Sequence, residues 1–152
     1  MPGRSFYISP MITKIPIEII EIEPDNYHAF VKVRIGRRNA RFLLDTGASK
    51  TVLDNEKILK FVKADAVMAY DDAKSVGLGT DTVETHIARL RSIRIGDLQT
   101  AAVDVAVLSL SHVNVVYSML KLHEIDGVLG SDLLVRFHAV ISYRARTLSL
   151  KK

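Results

Sequence analysis

Short stretches in which apolar and polar residues alternate recur along this chain. In residues 31–35 and again in 103–107, valine or isoleucine occupies every second position. This period of two predicts half-buried strands, and the turn-forming residues at 36–39 and 96–97 would separate neighbouring strands. Further strand-like stretches lie near 17–22, 41–44, 82–95, 138–143 and 147–150. Many short strands separated by turns predict a mostly β domain that is closed or sandwich-like.

One stretch has clear helical spacing. Val113, Val116, Tyr117 and Leu120 lie at i, i+3, i+4 and i+7, which are positions on one face of a helix. This spacing predicts an amphipathic helix over residues 112–122.

Two polar residues stand where helix N-caps belong. Asn55 could cap a short helix through Phe61, and Ser131 could cap a helix that follows residue 130. The apolar residues expected to face inward are Ile58, Leu59 and Val62 in the first helix and Leu133, Leu134 and Phe137 in the second.

The length of the chain suits a single domain with its own core. It has 152 residues, of which 48% are hydrophobic, and it contains no cysteine. Disulfides and thiol chemistry are therefore excluded. We expect residues 1–13 to be an irregular N-terminal arm and residues 14–152 to form the domain.

Composition also argues against some partners. The formal charge of +4 comes from lysines and arginines spread along the chain, without the dense basic stripe and stacking aromatics that bind nucleic acid. No apolar run is long enough to span a membrane, and no secretory signal precedes Lys14. We expect a cytoplasmic protein that binds neither nucleic acid nor membrane.

The sharpest chemical feature is the segment Asp45-Thr46-Gly47-Ala48. It follows the apolar run 42–44, and a charge placed at the end of a buried strand is costly unless it is used. Gly47 permits a tight turn there. Asp and Gly are also ordinary turn residues, so the triplet taken alone favours a plain β-turn.

A second segment changes this interpretation. Some 80 residues later the chain reads Ile-Asp-Gly-Val-Leu-Gly over 125–130, and a glycine-rich stretch, Gly77-Leu78-Gly79, lies between the two segments. In this order and spacing, residues 28–150 resemble the retropepsin family of aspartic proteases. The resemblance implies a mostly β, closed barrel-like acid-protease fold with two or three short helices and one active-site loop per chain.

The resemblance also implies roles for individual residues. Asp45 would be the catalytic aspartate, Thr46 would reach across a dimer axis, and Gly47 with Ala48 would complete the active-site loop. The apolar-Gly pair behind that loop would be Leu129 and Gly130. The flap glycines would be Gly77 and Gly79, on either side of Leu78.

A single aspartate per chain determines the expected assembly. Hydrolysis of a peptide by water needs one group to accept a proton and another to donate one, and two carboxylates that share a proton can do both. Aspartic proteases are the standard example of such a pair. The sequence contains no second Asp-Thr-Gly or Asp-Ser-Gly triplet. The resemblance therefore implies a homodimer in which the two Asp45 side chains meet at a twofold axis.

Two positions depart from the viral members of the family. Those members usually place an Asp after the alanine and an Arg after the apolar-Gly pair, and the two form an ion pair. Here the positions hold Ser49 and Ser131. Both partners are missing together, so no buried charge is left unpaired, but a viral style of dimer interface becomes doubtful.

The sequence favours an aspartic endopeptidase that acts on peptide or protein substrates as a homodimer. The alternative is a dimeric peptide-binding or protein-binding module on the same fold that does not cut. The histidines lack metal-ligand spacing, and the glycines lack a phosphate-loop pattern. We therefore expect no metal and no cofactor.

Overall fold

The structure, a computed structural model, describes residues 11–69 and 86–152. Strands dominate this part of the chain, and they are short. They are β1 (Ile12–Pro16), β2 (Glu18–Glu23), β3 (Asn26–Ile35), β4 (Arg38–Leu44), β5 (Val52–Asp54), β6 (Val67–Ala69), β7 (His86–Leu90), β8 (Arg94–Ile95), β9 (Leu98–Gln99), β10 (Val103–Leu108), β11 (Gly127–Leu129), β12 (Val140–Ser142) and β13 (Thr147–Lys151). The helices are α1 (Ser111–Met119) and α2 (Ser131–Arg136), with 3₁₀ turns at Ile58–Lys60 and Ala64–Ala66.

Most strands belong to one large sheet. Its order is β6-β7-β10-β5-β11-β4-β3-β8-β9, and β2 pairs with β3 beside this path. Near its centre β11 lies between β4 and β5, parallel to β4 and antiparallel to β5. The mostly β class that the sequence predicts is confirmed. Among the described residues, the strand pairs form an open series from β6 to β9.

The main hydrophobic core lies on one face of the large sheet. The alternating residues of 31–35 and 103–107 point into it, as their period of two predicts. Phe42, Leu53 and Leu129 from the central strands are fully buried there. Leu133 and Leu134 place the inner side of α2 against the same core.

A second, smaller core lies on the opposite face of the central strands. Phe30, Val52 and Val128 supply the sheet side, and Tyr117 of α1 is fully buried against them. Leu43 and Ala48 pack against this core and stay partly exposed. This second core therefore reaches the end of β4, where the Asp-Thr-Gly segment begins.

A separate three-stranded sheet joins the two ends of the described chain. Its order is β1-β13-β12, and β1 pairs antiparallel with β13 from Ile12 to Pro16. Ile15 and Leu148 face the main core. β1 thus starts at Ile12, inside the segment 1–13 expected to be an arm, while residues 1–10 lie outside the described residues.

The helix expected after Asn55 is wrong in two respects. Only a 3₁₀ turn forms, at Ile58–Lys60, and Leu59 is 68% exposed instead of facing inward. The backbone N–H of Asn55 donates to Leu108 O, and that of Lys57 donates to Asp54 O. These bonds hold residues 54–57 as a turn against β10, and a 3₁₀ turn at Ile58–Lys60 follows it in place of an α-helix.

Helix α1 is confirmed, but the face it buries differs from the predicted one. Tyr117 is inward, whereas Val116 and Leu120 are 45% and 43% exposed. The reason is Asn114, whose side chain donates to Ile125 O at 3.1 Å and accepts from Ile125 N at 2.8 Å. This pair of hydrogen bonds rotates a polar residue inward, which a pattern of apolar positions does not reveal.

The strand expected over 82–95 is interrupted. β7 ends at Leu90 and β8 begins at Arg94. Between them Ile93 N donates to Thr100 Oγ1 and Thr100 N donates to Ile93 O, so the chain turns towards β9. Residues 82–85 lie outside the described residues. Across the described ranges, no helix is both long enough and apolar enough to cross a membrane.

Substitutions of Leu53 and Leu59 test which of the two side chains is buried. Leu53 is fully buried in the main core, so Leu53→Ala should lower the free energy of unfolding by about 2–5 kcal/mol. Leu59→Ala, the matched control, should change it by less than about 0.5 kcal/mol because the side chain is exposed. Urea denaturation measures both values. Equal losses would contradict the described packing of the 3₁₀ turn.

Tyr117 should make the fold sensitive to alkali. Burial raises the pKa of its phenol from 10.0 to about 12, opposed in part by the positive charge of Arg41. As the pH rises from 10 towards 12, the unfolded chain releases this proton and the folded chain keeps it, so the free energy of unfolding falls. The contribution is complete below pH 10.

The Tyr117→Phe variant isolates this effect. The difference in the free energy of unfolding between wild type and variant should be constant below pH 10 and shrink above it. Denaturant titrations at several alkaline pH values measure the difference. A pH-independent difference would mean that the phenol ionises as easily in the folded protein as in the unfolded chain.

Candidate active site

Strand β4 brings Asp45 to the edge of the second core. Side chains along a strand alternate between faces, so Phe42 and Leu44 face the main core while Leu43 faces the second. Asp45 is the first residue after β4 and opens the loop that the second core reaches through Leu43 and Ala48. Its side chain is half-buried. The carboxylate is therefore partly shielded and still reaches solvent.

The loop after Asp45 is closed on itself. Gly47 N donates to Asp45 Oδ1 at 2.9 Å, and Ala48 N donates to Asp45 O at 3.2 Å. Thr46 and Gly47 are exposed at the tip of the turn. The first hydrogen bond orients the carboxylate through its own backbone, and the tip remains open for contact with another molecule.

Strand β11 supports the loop from behind. Val128 pairs with Leu43 and Leu129 with Leu44 in parallel register. Asp45 N donates to Leu129 O at 3.1 Å, which extends this pairing by one residue. The sequence-predicted apolar-Gly pair, Leu129 and Gly130, thus lies directly beside the start of the loop.

Gly130 must be a glycine because backbone crowds it. A Cβ at this position would lie 2.7 Å from Lys50 C and O and 2.9 Å from Ala48 O. Ser131 N donates to the same Ala48 O at 2.7 Å. A backbone hydrogen bond therefore joins the start of α2 to the loop.

Side-chain hydrogen bonds hold the C-terminal end of the loop. Asp132 Oδ1 accepts hydrogen bonds from Thr51 N at 2.9 Å and from Thr51 Oγ1 at 2.7 Å. Thr51 Oγ1 in turn accepts from Gly130 N at 3.1 Å. Thr51 is completely buried. This network links residues about 80 positions apart and fixes where the loop rejoins the sheet.

The structure brings most of the sequence-predicted site residues together. Asp45, Thr46, Gly47 and Ala48 form one loop, and Leu129 and Gly130 lie behind it. The predicted flap residues lie outside the described residues; they are Gly77, Leu78 and Gly79. Ser131 is the first helical residue and not the N-cap, which is Gly130.

The sequence analysis missed Thr51 and Asp132. Their signal was weak: a threonine just before a buried strand, and an acid in the first turn of a short helix. An acid in a first helical turn is usually explained by the helix dipole alone. Only the pairing of β4, β5 and β11 brings the two residues together.

Removing the Thr51 hydroxyl should loosen the loop. Thr51→Val keeps the shape but leaves Gly130 N without its acceptor in a buried position, so the free energy of unfolding should fall by about 1–3 kcal/mol. Thr51→Ser keeps the hydroxyl and should lose less. Chemical denaturation and hydrogen exchange at the Gly130 amide measure the effect. Unchanged exchange in Thr51→Val would contradict the network.

Comparisons with known proteins agree with this geometry. The family model described as aspartyl protease matches residues 31–133, more than half of the chain. No curated protein sequence matches the chain. The architecture is similar to three solved structures, each less than 25% identical, so they bear on the fold alone.

The first is a retropepsin-like aspartic protease from Rickettsia conorii, with 22% identity, 94% of each chain covered and a TM-score of 0.58. The retroviral protease-like domain of Ddi1 from Leishmania major has 15% identity over 80% of this chain and 86% of that one, with a TM-score of 0.55. The EIAV protease bound to the inhibitor HBY-793 has 18% identity over 72% of this chain and 86% of that one, with a TM-score of 0.50. With its family model matched over 31–133, the chain belongs to the aspartyl protease family.

Proposed function

We propose that this protein is an aspartic endopeptidase that acts as a homodimer. The observation that carries the proposal is the position of Asp45: a half-buried carboxylate, oriented by Gly47 N, at the open end of a loop tied to β11. Membership of the aspartyl protease family supports the same activity.

One chain supplies half of the chemistry. An Asp45 carboxylate can take a proton from water, but a second group must protonate the peptide carbonyl or the leaving amine. Two Asp45 side chains that share one proton would supply both, because like charges a few ångströms apart do not both ionise. The pair would titrate as a unit.

A twofold axis at the loop tip would bring the two acids together. Thr46 and Gly47 are exposed at this tip, so a second copy can approach it without moving the loop. The bonds from Asp45 N to Leu129 and from Ser131 N to Ala48 O hold each half in place before association. Preorganisation of this kind lowers the cost of assembling a site.

The substrate would be an extended peptide. The second core offers it an apolar surface beside Asp45, made by Leu43, Ala48 and Val128. Extended peptides commonly bind by adding backbone hydrogen bonds while alternate side chains enter pockets. We therefore propose cleavage within a chain and not at its termini.

Asp45→Asn should remove the activity. Cleavage of a mixed peptide library, followed by mass spectrometry, should slow by about a thousand-fold or more because the general acid–base pair is lost. Asp25→Asn, which changes an exposed turn residue, is the matched control and should cleave at the wild-type rate.

Mixing the two proteins tests the shared site. If both Asp45 side chains are needed, the rate should follow the square of the wild-type fraction, reaching roughly one quarter at equal amounts, whereas a one-chain site would give roughly one half. Total protein concentration is kept constant, and sedimentation follows the dimer. If wild type and Asp45→Asn bind library peptides equally and neither cleaves them, the protein is a binding module and the proposal is wrong.

A further inference from the structure

Positively charged side chains lie on the outer face of β3 and β4, away from the main core. On β3 the buried residues of 31–35 alternate with Lys32 and Arg34, which are exposed. On β4, Arg41 lies opposite Lys32 and Asn39 lies opposite Arg34. Directly opposed residues of antiparallel strands have their side chains on the same face. This face therefore carries three cations and one amide.

Strand β8 adds a fourth cation from a distant part of the sequence. Arg34 pairs with Arg94 in antiparallel register, and both side chains are exposed. Like charges placed directly opposite each other repel and destabilise a sheet. A carboxylate bound by the two guanidinium groups would replace this repulsion with charge-assisted hydrogen bonds. The register of β3 and β8 thus favours a bound anion.

Arg41 already has a partner within the chain, whereas the other three cations do not. Arg41 Nη2 donates to Glu18 Oε1 at 2.7 Å, which neutralises the guanidinium. Across 11–69 and 86–152, the ion pairs involve none of Lys32, Arg34 and Arg94. These three side chains are the cations that an anionic ligand would bind.

The same three cations line one groove. It has a volume of about 470 Å³, and Asn39, Pro16 and Asp97 also line it. A second groove of about 610 Å³ adjoins it, since Pro16, Lys32 and Asn39 line both. A concave surface with an excess of one sign of charge concentrates ions of the opposite sign. We call the 470 Å³ groove the basic groove.

The basic groove suits an acidic peptide better than a nucleic acid or a membrane. Among the described residues that line it none is aromatic, so it lacks the rings on which bases stack. A flat lipid surface does not follow a groove, whereas an extended chain can lie in one. The exposed amide of Asn39 can donate to and accept from a peptide backbone.

We propose that the basic groove is an exosite that binds an acidic segment of the protein substrate, with Arg34 and Arg94 contacting its carboxylates. The substrate role rests on the proposed peptidase function and adds a class of substrate to it. Asn39 lies in β4 and Asp45 just beyond it, roughly 20 Å apart at about 3.3 Å per residue. An extended peptide covers this length with about six residues, so the acidic segment lies at least that far from the bond that is cut.

The first experiment measures binding without cleavage. The probe is a fluorescein-labelled peptide of alternating glutamate and glycine, and its affinity is read from fluorescence anisotropy. All proteins carry Asp45→Asn, so the result does not depend on peptidase activity. Arg34→Gln, Arg94→Gln and the double variant are compared with this background. Arg136→Gln, which removes an exposed arginine at the end of α2, is the matched control.

Each single variant should raise the Kd of the glutamate probe about two- to five-fold, the effect of one exposed ion pair. The double variant should bind more weakly than either, Arg136→Gln should bind like the background, and added salt should weaken binding. A probe with glutamine in place of glutamate should not bind. Neither Arg34→Gln nor Arg94→Gln should lower the melting temperature, because each removes the repulsion between the two arginines.

The second experiment tests the substrate role. A peptide that the wild-type protein cleaves is extended with an acidic tail or with a glutamine tail. The acidic tail should raise kcat/KM about two- to five-fold over the glutamine tail in wild type, and this advantage should disappear in the double variant. Cleavage of the glutamine-tailed peptide should be equal in both proteins, since Asp45 is unchanged.

The outcomes separate this inference from the peptidase proposal. If the glutamate probe does not bind, or binds the double variant as tightly as the background, the inference is wrong and the peptidase proposal stands. Tighter binding of a poly-thymidine oligonucleotide or of phosphatidylserine vesicles than of the probe would also overturn it. So would cleavage that gains nothing from the acidic tail. If wild type cleaves neither tailed peptide, the peptidase proposal fails and the binding measurement alone decides whether the groove takes acidic peptides.

Discussion

The parallel pairing of β4 with β11 is the interaction on which the site depends. It joins residues that are about 85 positions apart and extends one hydrogen bond beyond the strands, from Asp45 N to Leu129 O. The carboxylate is thereby placed by backbone atoms, which are less mobile than side chains. Gly130 permits the close approach because a Cβ there would collide with Lys50. Without this pairing the Asp-Thr-Gly segment would be an ordinary exposed turn.

Hydrogen bonds hold the loop against the start of α2. Ser131 N binds Ala48 O, and the Asp132 carboxylate binds both the amide and the hydroxyl of Thr51. A charge-assisted hydrogen bond of this type is stronger than a neutral one and needs no buried cation. The loop is therefore fixed without the desolvation of two opposite charges.

The two cores on the faces of the sheet differ in size and in how far they are exposed. The main core, on one face, stabilises the fold through fully buried aliphatic residues such as Leu53 and Leu129. The second core, on the other face, is smaller and ends in partly exposed residues beside Asp45. Helix α1 packs on this face through Tyr117. The exposed edge that remains is the surface a bound peptide would contact under the proposed function.

The sequence by itself determined the mostly β class, the strands at 31–35 and 103–107, the loop at 45–48 and the helix predicted over 112–122, which the structure ends at Met119. These features are local, since alternation, helical spacing and turn residues act between near neighbours in the chain. The prediction from sequence was wrong where a contact with a distant residue sets the exposure of a side chain. Leu59 is exposed because residues 54–57 bind β10. Val116 is exposed because Asn114 binds Ile125. Only the tertiary structure joined Thr51 to Asp132 and set Leu129 beside Leu44, because strand register is set by pairing between segments far apart in sequence.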